Sequence, residues 1–158
     1  MWPALNASTM SRWRLFPQLL SLGLAAAALA ACSGAVLGTG ADCTSSTALL
    51  TQVTGECTRT LDRLEQAAPQ TIAIQTADVA PFATVAFEVT VASGQVDVTF
   101  TDSRGDDVTV RARPRAAATG QVRLQLDALN QIRFTLTPVD GAATDVSYTL
   151  QFVCDCLP

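Results

Sequence analysis

The chain is 158 residues long and sets ten arginines, with no lysine or histidine, against fourteen acids, for a net charge of −4. Without His or Lys it has no general base for Ser-His-Asp, Cys-His or Ser-Lys chemistry. Its acidity argues against nucleic acid and against electrostatic adhesion to anionic lipid, and its length predicts one hydrophobic core.

The N-terminus reads as an export leader. Arg12 and Arg14 form a positive region, Leu15 to Ala28 an apolar stretch, and Ala30 and Ala31 the small residues a signal peptidase accepts. The apolar run is broken by Pro17 and Gly23 and is short for spanning ~30 Å of hydrocarbon, so a permanent transmembrane helix is the lesser reading. The arginines are not adjacent, which favours general secretion over the twin-arginine route.

Leu29-Ala30-Ala31-Cys32, which closes this run, resembles the lipobox of bacterial lipoproteins. The resemblance implies cleavage after Ala31, removal of residues 1–31, acylation of Cys32 and a palmitate-type lipid anchor in the cell envelope. Ser33 stands where an Asp would favour the inner membrane, which implies the outer membrane. Starting at Met10 instead of Met1 gives a leader nearer the usual length of such signals.

Loss of residues 1–31 leaves 127 residues with eight arginines and fourteen acids, a charge of −6. Trp2 and Trp13 leave with the leader, so Phe82, Phe87, Phe100, Phe134, Phe152 and Tyr148 are the mature aromatics, too few for a sugar-stacking platform. The glycine-containing stretch 32–42 reads as a flexible tether, its ten residues after Cys32 reaching at most about 33–36 Å.

Residues 43–69 form a separate N-terminal segment. Leu49, Val53, Cys57, Leu61, Leu64 and Ala68 fit a helical period. Thr47, Thr51, Thr54, Thr58, Thr60 and Gly55 oppose it, leaving a strand over 47–53 followed by a helix over 58–67 as an equal reading, with Pro69 ending either.

From Thr71 the period becomes two. Seven strands follow, centred on Ile72 and Ile74; Val85 to Val91; Val96 to Phe100; Val108 to Ala112; Val122 to Leu126; Ile132 to Leu136; and Val146 to Phe152. Turn residues separate them at Ser93-Gly94, 103–106, 114–120, 127–130 and 138–144. One apolar and one wet face per strand predict an all-β antiparallel sandwich over 70–158, of jelly-roll or immunoglobulin-like type. The layout, with Asp145-Val146-Ser147-Tyr148-Thr149-Leu150, loosely resembles the small sandwich domains C-terminal to secreted bacterial peptidases.

Cys43, Cys57, Cys154 and Cys156 form an even set in an exported chain, which predicts two disulfides. Cys154 and Cys156 share the inward parity of Phe152, so each is expected to pair with one of Cys43 and Cys57, stapling the N-terminal segment across the sandwich. The competing pairing is Cys43 with Cys57 beside a redox-active Cys154-Asp155-Cys156, and a zinc site on all four is a minor third reading.

The remaining candidates compete with plainer structural roles. Asp102, Asp106 and Asp107 in the turn Asp102-Ser103-Arg104-Gly105-Asp106-Asp107 could ligate calcium, and the same turn holds Arg-Gly-Asp, yet a solvated hairpin turn is the stronger reading. Arg111, Arg113 and Arg115 could dock an anion, though cross-strand pairing with Asp97 or Glu88 is favoured. Glu88, Asp97 and Asp127 are the carboxylates a glycosidase-type mechanism would need. No cofactor is implied. The expectation is a non-catalytic, membrane-anchored envelope lipoprotein that binds or scaffolds an envelope protein or glycan; the alternatives are a carboxylate-dependent hydrolase and a calcium-dependent adhesion module.

Overall fold

Nine antiparallel strands organise the chain in the computed structural model, which describes residues 36–38, 40–48, 52–79 and 81–156. They are β1 (Val36–Gly38), β2 (Asp42–Ala48), β3 (Gln52–Leu64), β4 (Ala68–Ile74), β5 (Phe82–Thr90), β6 (Ser93–Thr101), β7 (Asp107–Ala112), β8 (Ala118–Gln125) and β9 (Gln131–Cys154). The leader and Cys32 lie outside the described residues.

The long strand β9 builds both layers of the sandwich. Its first half pairs with β4 on one side and β6 on the other, and β1 and β7 extend that sheet to the order β1-β4-β9-β6-β7. Its second half pairs with β3 and β5, and β2 and β8 complete a second sheet, β2-β3-β9-β5-β8. Between the halves Asp140, Gly141 and Asp145 take positive φ of 59°, 122° and 48°. The expected turn over 138–144 is where β9 folds back from one sheet to the other, and strand pairing runs on through it, so the sixth and seventh expected strands form a single element.

Alternation puts one residue in two into the core. Ile72, Ile74, Val96, Val98, Phe100, Ile132, Phe134 and Leu136 face inward from the first sheet; Val53, Cys57, Val85, Phe87, Val89, Tyr148, Leu150 and Phe152 face them from the second. Phe87, Phe100, Phe134 and Tyr148 touch in sequence with ring centroids 4.8, 5.4 and 5.1 Å apart. Burying each such side chain stabilises the fold by about 1.5–3 kcal/mol.

The helix expected over 58–67 does not form. β3 runs through it as a strand of thirteen residues, paired along most of its length with β9. Its inward positions are Val53, Gly55, Cys57, Arg59 and Leu61, opposite Cys154, Phe152, Leu150, Tyr148 and Val146. Gly55 and Arg59 occupy two of these slots, so the apolar residues fall every fourth position and imitate a helical stripe. Gly55 is required there because a Cβ would collide with the Phe152 ring.

The tether is also shorter than expected. Val36, Leu37 and Gly38 pair with Ile74, Ala73 and Ile72, and Asp42 already belongs to β2. Pairing within β2 and β3 sets Cys43 opposite Cys57, with Cα atoms 4.1 Å apart, and these two form one disulfide. Cys154 bonds Cys156 just past the end of β9, with Cα atoms 5.2 Å apart. This replaces the expected staple, because once residues 42–64 form a hairpin the two N-terminal cysteines are cross-strand neighbours.

Candidate functional site

The outward residues of the second sheet form a largely polar face. Register aligns them in rows across the strands: Ser46, Thr54, Val153, Thr84 and Arg123; then Thr44, Glu56, Gln151, Ala86 and Gln121; then Asp42, Thr58, Thr149, Glu88 and Thr119. From the first row to the third is about 13 Å along the strands, and five strands span about 19 Å across.

Two adjoining depressions lie in this face. One, of about 560 Å³, is lined by Thr44, Ser46, Thr54, Glu56, Thr84, Gln121, Gln151 and Val153 among others. Its neighbour, of about 320 Å³, shares Ala86 and Gln151 and adds Glu88, Thr119 and Thr149. Ala86 and Gln151 line both, so the two depressions adjoin at the centre of the face.

The polar groups of the floor are ordered. Gln151 donates from Nε2 to Glu56 Oε2 at 2.8 Å, and the Ser46 and Thr54 hydroxyls lie 2.9 Å apart. Elsewhere on the same face the Arg123 guanidinium sits 4.7 Å from the Phe82 ring centroid, a cation–π contact. Hydroxyl and carboxamide groups supply donors and acceptors together, so the face suits a ligand with the same mixture.

The acidic turn is organised by hydrogen bonds of its own. Asp102 is buried, and its carboxylate accepts from the backbone N–H of Arg104 at 2.8 Å and of Asp106 at 3.1 Å, and from Arg104 Nε at 2.8 Å. Burial pushes this carboxyl up, and the Arg104 and backbone hydrogen bonds outweigh it, holding it below the usual carboxylate range. Asp106 and Asp107 are exposed beside it, and Arg104 of the Arg-Gly-Asp sequence folds back onto Asp102 at 2.6 Å. Among the described residues no three carboxylates or cysteines gather to hold a metal ion.

The hydrolase candidates are separated by the fold. Glu88 stands on the outer face of the second sheet and Asp97 on that of the first, where Arg111 clamps it through two hydrogen bonds of 2.6 and 2.8 Å. That clamp holds the Asp97 carboxyl below its ordinary range. Asp127 lies in the loop after β8, paired with Arg133 and accepting from the N–H of Leu129 and Gln131. No two of the three face each other across a cleft. Arg111 is thus engaged by Asp97, while Arg113 and Arg115 flank Pro114 in an exposed turn.

No family model matches the chain, and no curated protein matches it. Among solved structures it is similar to a protein of the disulfide-linked pili that form Bacillus endospore appendages, at 16% identity and a TM-score of 0.47, covering 72% of this chain and 97% of that one. It is similar to the xylan-binding domain CBM22-1 of Paenibacillus barcinonensis Xyn10C at 14% identity and 0.37, covering 82% and 100%, and to a family 29 carbohydrate-binding module at 13% and 0.35, covering 79% and 84%. At these scores no property of those proteins carries across.

One polar cluster escaped the sequence reading. Arg59, on the inward side of β3, donates from Nη1 to Gln70 Oε1 at 2.8 Å, and the Tyr148 hydroxyl donates to the same oxygen at 3.2 Å. Gln70 in turn donates to the Pro69 carbonyl at 3.0 Å. This bridge links the two sheets through the core. Its only sequence signal is the parity of Arg59 with Val53 and Cys57, which is visible once β3 is taken as a strand.

Proposed function

We propose that the mature chain is a non-catalytic, lipid-anchored module of the bacterial cell envelope that binds a hydroxyl-rich ligand, an envelope glycan, across the outer face of its second sheet. The observation that carries this reading is the pair of adjoining depressions, lined by Thr44, Glu56, Gln121 and Gln151 and by Glu88, Thr119 and Thr149. Their hydroxyl, carboxamide and carboxylate groups match alternating hydroxyl donors and acceptors, and Phe152, Val153 and Phe87 beside them supply apolar surface for the C–H faces of a sugar ring.

Anchoring follows from the lipobox-like segment. Acylation of Cys32 contributes about 0.8 kcal/mol per buried CH₂, so more than one chain makes release negligible. Outer-membrane residence follows from Ser33 by the same resemblance.

The test is calorimetric titration of the domain against envelope glycans, comparing the natural chain with Gln121→Ala/Gln151→Ala. The expected result is a glycan bound by the natural chain whose affinity falls about tenfold or more in the double variant, two lost hydrogen bonds at about 0.5–1.5 kcal/mol each. Both side chains are exposed, so the unfolding midpoint should stay in place. Equal affinity in the two proteins would remove this face as the binding site.

A further inference from the structure

The two most exposed of the large apolar side chains lie together, apart from Phe82, Val108 and Val153 on the sheet faces. Val79, 78% exposed, and Leu129, 66% exposed, sit on separate loops, 75–81 and 126–130, that meet at one end of the sandwich. The Asn130 side chain donates to the Asp78 carbonyl at 2.8 Å, and the Leu126 N–H to the Pro81 carbonyl at 2.9 Å, so the two tips are held side by side. The Ile74 N–H donates to the Asn130 carbonyl at 2.9 Å, fixing both loops to the end of β4.

The chain enters the fold at this same end. Val36 pairs with Ile74, the last residue of β4 before the Val79 loop, and Gly38 pairs with Ile72 deeper in the sheet. Four residue steps separate Val36 from Cys32, a reach of at most about 14 Å. An acyl group on Cys32 thus places the membrane close beside the loop pair.

We infer that this end of the sandwich rests on the bilayer, with Val79 and Leu129 entering the interfacial layer next to the lipid anchor. The inference rests on acylation of Cys32, and it adds an orientation that a tethered domain would not have. The contact is apolar and not electrostatic. At this end Asp127 is paired with Arg133 and Asp102 with Arg104, while Asp106 and Asp107 stand exposed in the same turn, so charge does not draw this end to an anionic surface. An interfacial element buries its apolar groups to about 5–10 Å, which two loop tips can reach without moving a strand.

The mature chain contains no tryptophan, so a single one reports its own depth. Val79→Trp, Leu129→Trp and, at the opposite end, Ala67→Trp would each be made in the full chain, processed in a bacterial host and reconstituted in phosphatidylcholine vesicles with plain or brominated acyl chains. Intact mass establishes acylation of residue 32 in each sample, and circular dichroism establishes the fold. The expected result is that bromine lowers the emission of the first two about twofold and leaves Ala67→Trp unchanged, because tryptophan settles in the interface. Acylated protein in which none of the three is quenched overturns the docked orientation while leaving the anchor standing. An unmodified Cys32 overturns the anchor and the orientation together. Blue-shifted, unquenched emission in a protein that sediments as a dimer assigns the loop pair to a second copy and equally overturns it.

Discussion

Tyr148 is the one tyrosine of the chain, and its ring closes the aromatic stack while its hydroxyl reaches Gln70. Burial pushes its phenol up from the ordinary value, and the neighbouring Arg59 charge and hydrogen bonding pull it back only in part. A folded-state pKa raised above the unfolded value of about 10 makes a contribution to stability that is complete below pH 10 and is lost as pH climbs through the folded value. Phenolate absorbance therefore rises with a midpoint above 10, steeply where the fold opens, and in denaturant returns to about 10. A midpoint at or below 10 in the folded protein would mean that the Arg59, Gln70 and Tyr148 bridge is solvated. Replacing Gln70 by Ala removes the acceptor shared by the buried Tyr148 hydroxyl and the half-buried Arg59 guanidinium and costs about 1–3 kcal/mol in urea unfolding, whereas an unchanged midpoint would show that the bridge contributes nothing.

At the scale of elements, β2 and β3 form a hairpin whose disulfide closes a loop of 14 residues separation. Chain-entropy reasoning gives about 3 kcal/mol for a loop of this size and far less for the short Cys154 to Cys156 loop. Cys43→Ala/Cys57→Ala is expected to lower urea stability by about that amount, and Cys154→Ala/Cys156→Ala by the lesser contribution plus the packing lost around two buried residues. Equal behaviour of Cys43→Ala and of Cys154→Ala in a single-variant series, with mixed disulfides between the N- and C-terminal pairs by peptide mapping, would restore the stapled connectivity. β5, β6 and β7 are legible because each keeps apolar residues on one parity, and β4 and β8 are legible from Ile72 and Val122 onward, past Gln70 and Gly120 on the same parity. β3 is not, since Gly55 and Arg59 stand at inward positions and turn a period of two into an apparent period of four. Pro138, Asp140 and Gly141 are the residues of a reversal, and the chain does reverse there; what no local pattern encodes is the pairing that carries the strand through it, with β6 before the fold-back and β3 after it.

Across the whole molecule, the two outer faces differ in kind. That of the first sheet is tied up in its own contacts: Arg111 on Asp97, Arg133 on Asp127 and Gln131, and the Thr99 hydroxyl 2.9 Å from that of Thr109. That of the second sheet is hollowed, with Gln121 at one side and Thr44 at the other of a polar trough. Its candidate residues were not legible in sequence because Thr44, Glu56 and Gln151 come from strands far apart in the chain, and β2 and β3 had to be strands before they could share a face. Hydroxyl-radical footprinting of the protein in intact cells against the purified domain tests the assignment most directly. The predicted result is loss of labelling at Val153 and Phe82 and on peptides carrying Thr44, Glu56, Gln121 and Gln151, with Val108, Thr109 and Thr135 on the first sheet labelled alike in both. Protection confined to the first sheet, or equal labelling of both faces in both settings, would contradict it.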